Sequence, residues 1–216
     1  MQIYYFFFST PSLACLMTAE AAGIDFEKKL IDLREGRQNT PDFKAINPMS
    51  KVPAMIDGDL VLTESIAILL YLARKSETGL YPSQLSEQAT VDRWLNLVVH
   101  EVRTPVLDIE VYRWVAQTTG NPVNNGVVEV ALSRVNRALP ILNDRLDKAE
   151  FLNGKRLTIA DISLVSALDP VDTVGVDISP YPNVRAYLDR GRQQPWYKAV
   201  NAHFGAEVGL DQSRYR

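Results

Sequence analysis

The apolar residues of the chain change their spacing along its length, and each change predicts an element. Ile3 to Phe8 is an unbroken apolar and aromatic run, which predicts a central strand over residues 2–8 covered on both faces. Leu13, Leu16, Met17 and Ala21 then fall at helical spacing, with Thr10 as cap, Pro11 at the first helical position and Gly23 at the end. Residues 26–33 alternate weakly and predict a second strand, followed by a polar loop over 34–40 and a helical turn over 41–46. Val52-Pro53 opens a third strand, Asp57-Gly58 makes a hairpin turn into a fourth at 60–62, and residues 65–75 return to helical spacing.

No strand pattern follows the linker at 76–82. Val91, Trp94, Leu95, Val98, Val102, Val106, Ile109 and Tyr112 predict a helix over 86–118, bent or interrupted at Pro105. A second long helix covers 127–148 with Pro140 inside it. At Leu157 the segment LTIADISL places Thr158 as cap with Asp161 three residues on, a carboxylate version of the capping box with a Leu157–Ile162 staple. That cap is worth on the order of 1 kcal/mol. Short helices around Tyr187 and over 196–200 close the chain, and a polar tail over 209–216 is expected at the surface. The order predicts a mixed four-stranded sheet of thioredoxin-like arrangement over residues 1–77 and an all-helical domain over 85–216.

Composition narrows the function classes. With 216 residues, 46% hydrophobic, 23% charged and a formal net charge of −3, the chain reads as an ordinary globular protein with no basic cluster for nucleic acid. The single cysteine, Cys15, excludes an internal disulfide framework, and His100 and His203 are too few and too far apart to predict a metal site. No segment has the apolar length of a membrane span and the amino terminus lacks a basic leader, so a cytoplasmic location is expected.

Three places offer chemistry. An X-Pro bond is the one kind that readily becomes cis, and a proline opening a strand leaves the Val52 backbone free to pair with a ligand. The helix starting at Ser65 presents unpaired N–H groups suited to a carboxylate. Ser9, Thr10 and Ser12 cluster at the first helix, where a hydroxyl can cap the helix or donate to an anion. Cys15, one turn inside, is expected to be an inert core thiol, and Tyr4 and Tyr5 to pack in the core.

Taken in order, Ser9, Val52-Pro53, Glu64-Ser65 and Thr158-Ile159-Ala160-Asp161 resemble the cytosolic glutathione transferase family over nearly the whole chain. The segment FFSTPSL is similar to the serine-type delta and theta classes, while Trp94-Leu95-Asn96 with Glu101 and Arg103 is similar to the bacterial beta class. Thr10 stands at the beta-class cysteine position and Arg103 at its histidine. The resemblance implies a glutathione transferase that conjugates the glutathione thiolate to small hydrophobic electrophiles, with Ser9 as the catalytic hydroxyl. It also implies a glutathione site at Ser50, Lys51, Val52, Pro53, Glu64 and Ser65. The Val52 backbone would pair with the cysteinyl unit, Ser65 and Glu64 would hold the γ-glutamyl end, and Lys51 would meet the glycyl carboxylate. Asn96 and Arg103, seven residues apart, are expected on one helix face toward that site.

Ser50 and Ile66 stand where the delta class has histidine and arginine, and Gln38 where it has another histidine, so looser glutathione binding is expected. Glutathione is then the co-substrate with no metal, and a homodimer meeting near the helices at Glu64 and Ser86 is implied. Peroxidase, dehalogenase or isomerase activity on the same scaffold, and a non-catalytic binding or regulatory role, are the alternatives. A glutathione thiol has a reference pKa near ~8.5, and lowering it by roughly 2 units needs about 2.7 kcal/mol of preference for the thiolate. A Ser9 hydrogen bond together with the positive end of the first helix, worth up to ~1 kcal/mol, is of that size.

Overall fold

Four short strands and the helix between the first two establish the amino-terminal half. The computed structural model describes residues 1–154 and 156–201, without the side chains of 114, 115 and 117–119. Strand β1 is Gln2–Tyr5, β2 Glu27–Leu30, β3 Ala54–Asp57 and β4 Leu60–Thr63. They form one sheet in the order β2-β1-β3-β4, with β1 parallel to β2 and antiparallel to β3, and β3 antiparallel to β4. This is the mixed sheet the residue pattern predicts, with β1 and β2 shorter than expected. Phe6 to Phe8 leave the ladder and pack on one another as a tilted aromatic cluster, so β1 ends at Tyr5. The expected second strand stops at Leu30, where Asp32 and Gly36 turn the chain through two short 3₁₀ turns.

Helix α1, Thr10–Ala21, is buried from Thr10 to Ala19 with Pro11 as the exception. A helix covered on nearly all sides must have partners on all sides. Helix α3, Ser65–Lys75, packs on one flank, and helices α7, Ile159–Leu168, and α10, Pro195–Asn201, pack on the other. Its cap is Ser9, whose Oγ accepts from the Ser12 N–H; Thr10, expected to cap, is the first helical residue. Between β2 and β3 lies the short helix α2, Pro41–Ile46, capped by Thr40. Tyr71 on α3 donates to Asp57 at 2.6 Å, which fastens that helix to the end of β3.

The remaining helices are α4 Leu85–Leu97, α5 Thr104–Thr119, α6 Asn125–Lys148, α8 Val171–Val174 and α9 Pro182–Arg192. The interruption expected at Pro105 lies ahead of it: Val98–Arg103 is a widened, π-type stretch joining α4 to α5. The Thr104 N–H bonds back to the Val99 carbonyl, five residues away. Proline lacks an N–H and its ring crowds the carbonyl four residues earlier, so a wider turn accommodates it without breaking the helix. Helix α6 continues through Pro140 as predicted.

Helix α7 is buried along its whole length and forms the centre of the helical half. Gly191 lets α9 close on it, because a Cβ there would lie 2.4 Å from Val165 Cγ2. The Thr158–Asp161 box forms, but Asp161 holds more than a helix end. Fully buried, it accepts from the Thr158 N–H and hydroxyl at 2.8 and 2.7 Å, from the Leu152 N–H at 2.7 Å and from the Tyr187 hydroxyl at 2.8 Å. Burial pushes its carboxyl up despite those donors. One residue thus ties the α6–α7 loop, α7 and α9 together, more than the single cap read from the sequence. Asp161→Asn, which turns an acceptor into a competing donor, is expected to destabilise the protein by about 2 kcal/mol and lower Tm by roughly 4–8 °C in a calorimetric melt.

Among the described residues no helix is long and apolar enough to cross a membrane. The tail over 209–216 and His203 lie outside the described residues.

Candidate active site

Ser9 ends the loop after β1, held by its N–H to the Phe6 carbonyl at 2.9 Å. Its side-chain oxygen accepts two hydrogen bonds from Ser12, one from the N–H at 3.3 Å and one from the hydroxyl at 2.9 Å. A hydroxyl has one proton and two lone pairs. With its lone pairs engaged on the helix side, Ser9 keeps its proton for an acceptor outside. Capping and donation, which the residue types present as alternatives, are one arrangement here. Thr10 Oγ1 is buried without a partner, Ser12 is fully buried and spends its hydroxyl on Ser9, and Ser9, also buried, is the most exposed of the three at 8%.

The loop before β3 supplies a backbone edge. Asn47, buried, donates to the Lys51 carbonyl at 2.6 Å and accepts the Met49 N–H at 3.0 Å, and Ser50 takes a positive φ of 54°. The Val52-Pro53 bond is cis. Pairing of β3 with β1 ends at Ala54, two residues after Val52. Val52 is half-buried and Pro53 buried, while Lys51 is exposed. The gap in the ladder at Val52 is the free edge expected from the Val-Pro pair.

Helix α3 starts without a side-chain cap. Glu64, at its head, has φ 67° and ψ 115°, a conformation a residue other than glycine rarely holds, and its side chain is exposed. Such strain persists where the surroundings enforce it, and it clusters at ligand sites. The first N–H groups of α3 therefore stay open beside the Ser65 hydroxyl.

Arg103 enters this site from the helical half. It is 4% exposed, and its Nη2 donates to Ser65 Oγ at 2.9 Å. Its Nη1 is buried with no partner. Burial pulls the guanidinium down to about 10, still charged at neutral pH, and among the described residues the other group acting on it is the Cys15 thiol. A buried cation that has no carboxylate beside it among the described residues, and that is aimed at the positive end of a helix, is unfavourable by itself. An anion at the head of α3 would satisfy the guanidinium, the helix end and the Ser65 proton together. Because Ser65 Oγ accepts from Arg103, its own hydrogen is free for that anion.

Asn96 does not join Arg103. It is exposed and donates to the Asp92 carbonyl at 2.8 Å within its own helix. The widened stretch between the two residues takes more than the usual number of residues per turn, so the expected common face is lost. Nor does Arg103 pair with Glu101, which holds Arg134 and Arg137 on the surface. His100 is exposed, and Cys15 is sealed, its thiol pushed up to about 12 by burial against the lowering effect of Arg103. Gln38, which stands at a delta-class histidine position, has its Oε1 buried and unpartnered.

Comparisons with known proteins bear on the family and the fold. Residues 1–74 match the glutathione S-transferase N-terminal domain and residues 105–190 the glutathione S-transferase C-terminal domain. Glutathione S-transferase D7 of Drosophila melanogaster is 31% identical over 191 residues, 87% of this chain and 82% of that protein. A delta-class glutathione transferase from Nilaparvata lugens superposes with a TM-score of 0.81 at 30% identity, over 96% of each chain. Glutathione S-transferase I from maize, solved with an atrazine glutathione conjugate, superposes with a TM-score of 0.82 at 28% identity, over 93% of this chain and 96% of that one.

Proposed function

The chain belongs to the glutathione S-transferase family, and we propose from that premise that it conjugates the glutathione thiolate to small hydrophobic electrophiles, with Ser9 as the hydroxyl that stabilises the sulfur anion. The observation that carries this reading is the Ser9 hydroxyl, both lone pairs engaged by Ser12 and its proton left for a ligand at the start of α1. A thiolate there gains a charge-assisted hydrogen bond of about 1.5–3 kcal/mol and the favourable end of the α1 dipole. Together these supply the about 2.7 kcal/mol that ionisation near neutral pH requires.

Glutathione lies across the free backbone edge at Val52-Pro53, its cysteinyl unit paired with Val52. Its γ-glutamyl carboxylate sits at the head of α3 on Ser65 with Arg103 behind it, and its amine meets Glu64. Ser50 and Lys51 lie toward the glycyl end. Asn96 is exposed on the surface of α4 and contacts this ligand only if a second subunit brings it there. Residues 1–77 hold glutathione, with Arg103 reaching in from the second domain, and residues 85–216 take the electrophile. A detoxifying role in the cytoplasm fits this chemistry.

A homodimer is supported by apolar surface on β4 and α3. Leu60, Leu62, Ala67, Leu70 and Tyr71, with Arg74 and Lys75 beside them, line a groove of about 650 Å³. Sedimentation at micromolar concentration is expected to give twice the chain mass.

Isothermal titration with glutathione tests the function. We expect one site per chain, with proton release as the thiol ionises. No heat at millimolar ligand would overturn the transferase reading in favour of a non-catalytic role.

A further inference from the structure

Two hydroxyl oxygens 2.9 Å apart can hydrogen-bond in either direction, yet between these two residues Ser12 donates and Ser9 accepts. The direction matters, because it decides whether Ser9 has a proton to give. In the reverse arrangement the Ser9 proton would be engaged inside the protein, and the Ser12 proton would have to find a second acceptor.

Burial is the cause of the observed direction. Ser12 is completely buried on α1, and among the described residues its hydroxyl has no partner but Ser9. A Ser12 proton turned away from Ser9 would be a buried donor without an acceptor, the costly way to leave a hydrogen bond unmade. Ser9 stands at the cap, where the helix meets its loop, and keeps 8% of its surface. Of the two protons, only that of Ser9 can be left for a ligand without orphaning a fully sealed group.

The rest of Ser9 is already fixed. Its N–H is held by the Phe6 carbonyl and its carbonyl accepts from the Leu13 N–H, both at 2.9 Å. The next carbonyl, of Thr10, accepts from Ser166 of α7 at 2.7 Å, which ties the start of α1 to the helical half. The Ser12 N–H, at 3.3 Å, holds the Ser9 oxygen in place. What remains free is rotation of the hydroxyl, and the Ser12 hydroxyl settles it. Donation from Ser12 also polarises the Ser9 O–H, which strengthens it as a donor to an anion.

We propose that Ser12 is a positioning residue for the reaction: donating to Ser9 Oγ from a sealed site with no other acceptor, it commits the Ser9 proton to the glutathione sulfur. The proposal rests on the reading of Ser9 as the thiolate donor. Ser12 acts on the sulfur only through Ser9.

A double-mutant cycle tests this, read as the pKa of enzyme-bound glutathione from its ultraviolet thiolate absorbance and from the pH profile of kcat/KM. Ser12→Ala is expected to raise that pKa by roughly half a unit to one unit and to lower kcat/KM at neutral pH roughly three- to tenfold, with recovery at alkaline pH. The variant keeps the N–H that caps on Ser9, so its melt should stay close to that of wild type. A residue that served only to hold the helix would move the melt and leave the pKa alone. Ser12→Cys keeps a weaker donor in nearly the same volume and should fall between, and it carries the same comparison if the alanine variant does not fold. In a Ser9→Ala background, Ser12→Ala should add nothing to the pKa. An unchanged pKa in Ser12→Ala, where Ser9→Ala raises it, overturns the proposal, and so does a Ser12→Ala effect that persists without Ser9. If Ser9→Ala itself leaves the pKa unmoved, the reading of Ser9 fails and the role of Ser12 with it. A wild type that binds no glutathione is a failure of the transferase reading, seen separately by calorimetry.

Discussion

Replacing Ser9 by alanine is expected to lower kcat/KM for conjugation about 100-fold, the equivalent of about 2.7 kcal/mol of thiolate stabilisation. The same change is expected to raise the pKa of bound glutathione by up to about two units, toward its free value near ~8.5. The two readouts are linked, because the donor acts on the anion and not on the thiol. Turnover measured against pH should therefore recover partly at alkaline pH, where the thiolate forms unaided. Alanine also removes the α1 cap, at about 1 kcal/mol of stability. A melt separates that loss from the catalytic one, and glutathione binding should persist because the Val52 edge and the head of α3 are untouched. Ser9→Thr keeps a hydroxyl at the cap and should retain part of the rate. Unchanged turnover in the alanine variant would transfer the donor role to Thr10 or Ser12.

Arg103→Met is expected to raise KM for glutathione roughly 10- to 100-fold, the loss of about 1.5–3 kcal/mol of charge-assisted bonding to the γ-glutamyl carboxylate. At saturating glutathione kcat should change little, since the guanidinium meets Ser65 and not Ser9. The free protein should be as stable as wild type or more so. Methionine fills the space with an apolar chain and removes a buried cation that has no carboxylate partner among the described residues. A fall in kcat with KM unchanged would place Arg103 at the sulfur instead. Since Ile66 stands where related enzymes of the delta class are expected to carry arginine, a cation delivered across the domain boundary answers the weak carboxylate grip expected from the sequence.

Much of the site was legible along the chain because it rests on local chemistry. Ser9 beside Thr10-Pro11, the Val52-Pro53 pair and Ser65 at the start of an apolar helix each announce their backbone role within a few residues. The same holds for Thr158 and Asp161 as a cap. The role of Ser12, which fixes where the Ser9 proton points, is visible only as a hydrogen-bond direction.

The sequence by itself determined the elements, the mixed sheet, the change to an all-helical half and the backbone edges that a peptide-like ligand can use, since hydrophobic period, proline and caps act over one or two turns. Tertiary structure decided which side chains meet. The widened turn before Pro105 swung Arg103 inward to Ser65 and left Asn96 in solvent, a difference of one residue per turn that no helical wheel contains. It also gave Asp161 its contacts to Leu152 and Tyr187, and left Arg103 Nη1 buried without a partner among the described residues. Charge, burial and hydrogen-bond direction depend on neighbours distant in the chain, so they become properties of a residue only once the domains have packed.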